Sequence, residues 1–250
     1  MKHLLLLLSL AAGCTAAAQK RPATGGLSAL QDSIWQWAAD NKATDPVANA
    51  IYASAVNEPD GVIDVHMIRA DTAMKARFRR YVHDSPLIRL EGFDPDTTPY
   101  PPAPEGTPPP DGLSMDAEYA FYPAETDCVR LTIRYRGDST VYFGTDYTVC
   151  RFQNGRWETL PGADAWNSLL IGIGRPQFPV PGDARQTKEY AYGFTARLAP
   201  RVYPSVYARY RICKNVYMEN PHRNYLLTAD FTVTPFVPFT RFPEQTGDNN

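Results

Sequence analysis

The sequence predicts a mainly β protein in which a small α/β lobe precedes a two-sheet antiparallel β-sandwich. Short segments of alternating apolar and polar residues follow one another from Leu113 to Val233, as in CVRLTIRY. Turn signals separate these segments, and the pair Asn154-Gly155 favours a tight hairpin. Apolar residues at helical spacing are found instead in residues 27–92. These three observations place the helices first and the sandwich second.

The predicted α/β lobe spans residues 27–92. Asp45-Pro46 predicts a second helix running through Val56, because Asp is a preferred N-cap and Pro fits the first helical turn. VIDVHMI (62–68) alternates as a strand, and Asp71 opens a third helix. The first helix is predicted from apolar residues at helical spacing, namely Leu27, Leu30, Ile34 and Trp37.

A proline-rich segment, residues 93–112, is predicted to link the lobe to the sandwich. It contains eight prolines, and proline favours extended polyproline II geometry over helix or sheet. We interpret it as a semi-rigid spacer, with a proline-recognition ligand as the alternative. The sandwich is then predicted at residues 113–236, followed by a flexible tail at residues 237–250.

Within the sandwich, strand alternation predicts which side chains face the core. Val129, Leu131 and Ile133 should point inward, since the intervening residues are polar. The chain from Tyr142 to Phe152 is predicted as one long strand, and a Pro- and Gly-rich loop (174–182) precedes the later strands. Two aromatic residues, Tyr147 and Trp157, are expected to fill the core under the hairpin, and Tyr210 is expected to hold a loop through its hydroxyl.

These strands resemble a bacterial immunoglobulin-like domain of exported proteins over about residues 115–234. The resemblance is carried by CVRLTIRY, YFGTDYTVCRF, the turn NGRW and the later YARYRI. It implies an immunoglobulin-like sandwich and no catalytic set. Two features depart from the pattern: the loop at 161–186 is longer, and Cys150 and Cys213 replace polar residues.

Residues 1–18 are predicted to be an export signal. A basic start precedes the apolar run Leu4 to Leu10, which is shorter than the roughly 20 residues of a transmembrane helix. The stretch Leu10 to Cys14 resembles a bacterial lipobox and predicts lipidation of Cys14. Cleavage before Gln19, after three alanines, is the alternative. The protein is therefore expected as an outer-membrane or cell-surface lipoprotein, or as a soluble periplasmic or secreted protein.

Three cysteines remain after export. Because Val149 and Ile212 should face the core, Cys150 and Cys213 are expected to point outward from neighbouring strands of one sheet. Cys128 is expected to point outward from the opposite sheet, and packed sheets lie about 10 Å apart, beyond disulfide reach. We predict a Cys150–Cys213 disulfide and a free Cys128, with three reduced thiols as the alternative.

No motif in the sequence indicates catalysis, a metal or a cofactor. The net charge of −2 over 250 residues gives no electrostatic footprint for nucleic acid. Hydrolase, metalloprotease, nucleotide-loop and thiol-redox motifs are absent from the sequence. Asp64 and His66 share a strand face, but no nucleophile accompanies them, and the spacing of His66, His83 and Asp84 matches no known metal site. We predict a protein that is not an enzyme and holds no cofactor or metal.

The sequence therefore predicts an exported cell-envelope protein with a binding or structural domain. Its partner would be an unknown envelope protein or glycan, and it would contact the membrane only through a lipid on Cys14. Arg and Tyr together are typical of binding hot spots, and the predicted surface consists of Arg201, Tyr203, Tyr207, Arg209 and Arg211.

Two other functions stay open. One is an envelope hydrolase or enzyme accessory with a site between lobe and sandwich, using Asp64, His66 and the arginines of residues 77–80. The other is that the α/β lobe is a regulatory or inhibitory segment docked on the sandwich.

Overall fold

The computed structural model describes residues 24–162, 169–174, 189–199, 202–203 and 207–235. These residues are mainly β and form three sheets. We call them the N-terminal sheet, the small sheet and the large sheet.

The N-terminal sheet packs against three helices. Its strands are β1 (Ile51–Asn57), β2 (Val62–Arg69) and β3 (Ile88–Phe93), and the helices are α1 (Thr24–Asn41), α2 (Pro46–Ala50) and α3 (Thr72–Tyr81). β1 and β2 pair antiparallel, whereas β2 and β3 pair parallel across α3. Ile63, Val65 and Met67 are buried on one face of β2, and Ile34 and Phe78 belong to the same core.

The predicted second helix is shorter than expected. Asp45 does cap it, because its carboxylate accepts a hydrogen bond from the Val47 amide at 2.8 Å. The helix ends at Ala50, however, and the chain from Ile51 to Asn57 is strand β1. Pairing with β2 explains the difference, since a strand partner stabilises β1 in a way that a local pattern does not reveal. Whether these elements fold as a separate lobe stays a prediction.

Ten strands form the two other sheets. They are β4 (Leu113–Ala117), β5 (Phe121–Tyr122), β6 (Cys128–Arg136), β7 (Thr140–Phe143), β8 (Thr148–Gln153), β9 (Arg156–Leu160), β10 (Ile171–Gly174), β11 (Glu189–Arg197), β12 (Arg209–Met218) and β13 (Arg223–Val233). The small sheet has the order β11–β6–β4. The large sheet has the order β10–β7–β12–β13–β5, with β8 also paired to β12 and β9 paired to β8. After β4, which pairs with β6, the chain switches to the large sheet, where β5 pairs parallel with β13. Val129, Leu131 and Ile133 are fully buried, as predicted, and so are Ile212 and Leu227.

The predicted long strand from Tyr142 to Phe152 is wrong, because it is two strands separated at Gly144 to Tyr147. Lys214 on β12 holds this break in place. Its ammonium donates hydrogen bonds to the carbonyl oxygens of Gly144 at 2.9 Å and Asp146 at 2.6 Å. The side chain is buried, with its Nζ 5.5 Å and 5.3 Å from the ring centroids of Phe143 and Phe194. Lys214 therefore sets where β8 and its hairpin begin.

Replacing Lys214 with methionine is expected to remove a pH dependence of stability. Burial lowers the pKa of Lys214 from its usual 10.5, because a charged ammonium is disfavoured away from water. The unfolded chain therefore binds the Lys214 proton more tightly than the folded chain does. As the pH rises from the lowered folded pKa towards 10.5, the free energy of unfolding of the native protein should increase relative to that of the variant. The gain should be about 1.4 kcal/mol per unit of pKa lowering. Urea unfolding from about pH 7 to about pH 10 measures it, and parallel curves would contradict it.

The proline-rich segment forms hydrogen bonds with the large sheet. The Thr159 amide donates to the Pro101 carbonyl at 2.7 Å and the Ala103 amide to the Trp157 carbonyl at 3.2 Å, both at the edge of β9. Further along, the Leu226 amide donates to the Thr107 carbonyl at 2.8 Å, at the far edge of β13. Because β8 and β12 lie between β9 and β13, the segment passes over these two strands.

Candidate functional site

The face of the large sheet turned away from the core carries aromatic and arginine side chains in one row, which we call the outer-face row. Strand register defines the row. Thr232 pairs with Phe121 on one side and with Arg209 on the other. Arg209 lies beside Phe152, because the next residues of the two strands are paired, and Phe152 pairs with Trp157. The row crosses five strands at about 4.8 Å per strand and so spans about 19 Å. It consists of Phe121, Thr232, Arg209, Phe152 and Trp157.

Two arginines of β12 stack on the indole of Trp157. The Arg211 guanidinium lies 4.2 Å from the ring centroid, and that of Arg209 lies 5.6 Å from it. Phe152 packs against Trp157 edge to face, with centroids 5.3 Å apart, and lies 5.7 Å from the Arg209 guanidinium. Stacking on an aromatic face fixes a guanidinium while its edge stays available for hydrogen bonds.

Asp230 divides its contacts unequally between the two arginines. Its carboxylate accepts hydrogen bonds from Arg211 at 2.6 Å and 2.9 Å, a bidentate pair that raises the pKa of Arg211. Its contact with Arg209 is longer, at 3.4 Å, and the Arg209 side chain is 58% exposed. Arg211 is therefore a fixed structural cation, and Arg209 is the one that presents charge to solvent.

Only some residues of the predicted binding surface are exposed in the structure. Tyr207, 60% exposed, and Arg209 are accessible, and Arg211 lies beside them with a partly buried side chain. Tyr203, in contrast, is 4% exposed and donates a hydrogen bond to the Pro161 carbonyl. Its placement on an exposed surface is therefore wrong, because its ring is used in packing. Arg201 lies outside the described residues.

The predicted position of Trp157 in the core is also wrong. The indole lies on the outer face, partly exposed, opposite Phe152 and under the arginines. Tyr147, in contrast, is partly buried against the core, as expected, and its hydroxyl accepts a hydrogen bond from the Arg197 amide at 2.7 Å. Tyr210 is buried and stacks on Phe231, with centroids 5.8 Å apart.

Cys150 and Cys213 lie side by side beneath the proline-rich segment. Their strands β8 and β12 pair, as the sequence predicts, and their sulfur atoms are 3.9 Å apart as free thiols. The expectation that they lie on the surface is wrong, because both are buried. The segment that passes over β8 and β12 explains this burial. The hydrogen bond between the thiols lowers the pKa of Cys150 and raises that of Cys213. The disulfide itself stays a prediction. Cys128 is free and exposed on the small sheet.

A second cluster lies where the N-terminal sheet, the proline-rich segment and the β8–β9 hairpin meet. The Tyr100 ring lies 5.0 Å from Phe93 at the end of β3 and 6.3 Å from Tyr203, centroid to centroid. The guanidinium of Arg151, from β8, lies 5.4 Å from the Tyr100 centroid, and that of Arg69, from β2, lies 5.9 Å from the Tyr203 centroid. Burial raises the pKa of Tyr203. We call these five residues the junction cluster. No local pattern in the sequence indicates it.

Asp64 and His66 do not form an acid–base pair with each other. Asp64 is buried and accepts hydrogen bonds from Arg89 at 2.6 Å and 2.9 Å, which lower the pKa of Asp64. His66 lies 3.5 Å from the Glu91 carboxylate. The described residues contain no group of three or more potential metal ligands. Asp64 is therefore paired with Arg89, and His66 lies beside Glu91.

Several predictions from the sequence fall on residues outside the described ranges. They include the signal peptide, the lipidation site Cys14, the Pro- and Gly-rich loop after residue 174 and the C-terminal tail. No helix among the described residues has the length and apolar character needed to cross a membrane.

Comparison with known proteins confirms the resemblance predicted from the strands. A family model for a bacterial Ig-like domain matches residues 109–177, which is less than half of the chain. A search of curated proteins found no match.

Solved structures similar to this chain include the periplasmic chaperone SfaE, at 11% identity and a TM-score of 0.30. That match covers 50% of this chain and 59% of the chaperone chain, so the chain spans less than two thirds of it. Others are the structural-genomics target SoR45 (12% identity, 53% of this chain and 93% of that one, TM-score 0.28) and the putative ApaA protein of Bordetella pertussis (12% identity, 57% and 100%, TM-score 0.26).

Proposed function

We propose that this protein is an exported, non-catalytic component of the bacterial cell envelope whose immunoglobulin-like sandwich binds a partner through the outer-face row. The family match at residues 109–177 supports the domain type. The switch of the chain from β4 in the small sheet to β5 beside β13 in the large one supports an immunoglobulin-like arrangement of the two sheets. Export through the predicted signal peptide, with or without a lipid on Cys14, is part of the proposal.

The observation that carries the binding role is the exposed Arg209 guanidinium stacked on Trp157 and Phe152. Tryptophan and arginine dominate binding hot spots, because each combines apolar contact area with directed polar groups. A side chain held in place before binding also loses less conformational entropy when the partner arrives. The outer-face row has both properties.

The proposal predicts that Trp157→Ala and Arg209→Ala each weaken partner binding about tenfold or more. The full-length protein, made in its exporting host, would be cross-linked in the envelope and its cross-linked partners compared with those of the variants. Arg134→Ala is the matched control, since Arg134 is an exposed arginine on the outer face of the small sheet. Unchanged partners in both row variants, with native circular dichroism spectra, would contradict the proposal.

A further inference from the structure

We infer that the outer-face row recognises an acidic, apolar stretch of polypeptide, in which a carboxylate pairs with Arg209 and apolar side chains cover Phe152 and Phe121. This inference rests on the proposed binding function and names the chemistry of the partner. It follows from the charge balance of the face, the exposure of its aromatic rings and the length of the row.

The charge balance leaves one guanidinium without a strong partner. Among the described residues of this face, Asp230 is the carboxylate beside the two arginines, and Arg211 occupies both of its oxygens. Arg209 reaches the same carboxylate at 3.4 Å, at the outer limit of a hydrogen bond. A stacked guanidinium offers paired N–H groups that match a carboxylate in bidentate geometry. The face is therefore complementary to one negative group at this point.

The surroundings of Arg209 are apolar and partly open. Phe121 is 40% exposed at one end of the row, and Phe152 and Trp157 are partly exposed at the other. Tyr207, just before β12, adds another exposed ring. Apolar surface of this kind gains free energy when it is removed from water. A partner that offered only charge would leave these rings uncovered.

The size and sign of the row favour polypeptide over a polyanion. A span of about 19 Å equals an extended segment of about six residues. Nucleic acid binding requires several cations along a backbone, whereas this row offers one available guanidinium between aromatic rings. A short segment with one Asp or Glu between aliphatic or aromatic residues fits both features.

A random library of displayed peptides, roughly twelve residues long, tests the inference. After selection on the native protein, we expect enrichment of Asp or Glu next to Leu, Ile, Phe or Trp. One selected peptide would then be synthesised with its acidic residue and with the matching amide. Fluorescence anisotropy would measure its dissociation constant for the native protein and for the variants.

The two changes should couple. Arg209→Ala is expected to weaken binding of the acidic peptide about tenfold, and the amide peptide should bind the native protein equally weakly. Combining both changes should cost little more than either alone, because they remove the same contact. Arg209→Lys should retain part of the affinity, and Arg134→Ala should retain all of it.

Two results would overturn the inference while leaving the proposed function intact. The first is selection of peptides whose binding needs Trp157 but that contain no acidic residue. The second is that changing the acidic residue to its amide weakens binding by the same factor in the native protein and in Arg209→Ala. Selection of no peptide that depends on Trp157 or Arg209 would overturn the inference. If envelope cross-linking were also unchanged in the Trp157→Ala variant, the proposed function would fall with it.

Discussion

In an oxidising buffer, replacing Cys150 with serine is expected to lower the free energy of unfolding by about 4 kcal/mol. The reason is the predicted disulfide to Cys213, which would close a loop with 63 residues of sequence separation and so reduce the entropy of the unfolded chain. Urea unfolding of both proteins, with and without dithiothreitol, measures the difference. In reductant the native protein should approach the variant, because the bond is then absent.

The two thiols are close to each other. Their sulfurs lie 3.9 Å apart, diagonally across two paired strands, since Cys150 pairs with Arg211 and Cys213 with Thr148. Closing the bond therefore takes side-chain rotation together with a small approach of the two strands. Oxidation removes one hydrogen from each thiol, and the two electrons pass to a disulfide oxidant of the export compartment, such as a thiol–disulfide oxidoreductase. The lowered pKa of Cys150 favours the thiolate that such an exchange requires.

Cys128→Ser is the matched control for this prediction, because Cys128 is an exposed, free thiol on the other sheet. Its replacement should leave stability unchanged in both buffers. Intact mass should also show one pair of hydrogens lost in the oxidised native protein. Three alkylatable thiols in protein purified without reductant, with equal stability in both buffers, would show that the disulfide does not form.

Strand alternation made much of the sandwich predictable. Val129, Leu131 and Ile133 are buried because a strand with polar residues at every second position has one apolar face. Long-range contacts were not predictable in the same way. The break after Phe143 depends on Lys214, 70 residues from the Gly144 carbonyl that it binds, and a sequence pattern does not show which carbonyls a distant ammonium will reach.

Part of the binding site was within reach of the sequence. The composition of β12 identified Arg209 and Arg211 as candidates. The turn Asn154-Gly155 also fixes the hairpin register, so that Phe152 faces Trp157 and Cys150 faces Thr159. Cys150 was expected to point outward, and Phe152, two residues later on the same strand, points to the same face. Trp157 pairs with Phe152 and therefore also lies on the outer face. The register, rather than the hydrophobicity of tryptophan, determines its position.

The packing of the proline-rich segment was not predictable, because proline content describes local geometry and not contacts. Its residues bond to β9 and β13 through backbone carbonyls and amides, which any sequence carries. The junction cluster has the same origin. It joins residues from four parts of the chain: the N-terminal sheet, the proline-rich segment, β8 and the turn before β12. The regulatory-lobe alternative depends on whether this contact couples the N-terminal sheet to the sandwich.

The second large effect is expected at the junction cluster. Tyr100→Ala should lower the free energy of unfolding by about 3 kcal/mol, as for other large aromatic truncations. The ring contacts Phe93 of the N-terminal sheet and Tyr203, and the Arg151 guanidinium stacks on it. Its loss leaves Arg151, which is 4% exposed, without its aromatic partner. The variant should therefore also uncouple the N-terminal sheet from the sandwich.

Uncoupling has a signature that simple destabilisation lacks. Most of the described helix lies in the N-terminal part, so circular dichroism at the helical band reports on that region. Tryptophan fluorescence reports on the sandwich once Trp35, Trp37 and Trp166 are replaced with phenylalanine in both proteins, which leaves Trp157 as the emitting residue. In the native protein the two signals should change together in urea, whereas in Tyr100→Ala they should separate into two transitions.

Tyr52→Ala is the control for this separation, because Tyr52 is exposed on the N-terminal sheet and contacts His66 rather than the junction cluster. It should keep a single transition. If the native protein itself unfolded in two transitions, and protease cleavage within residues 93–112 released both parts folded, the junction cluster would not couple them. The regulatory-lobe alternative would then lose its physical basis. A lobe whose folding is not coupled to the sandwich cannot respond to partner binding at the outer-face row.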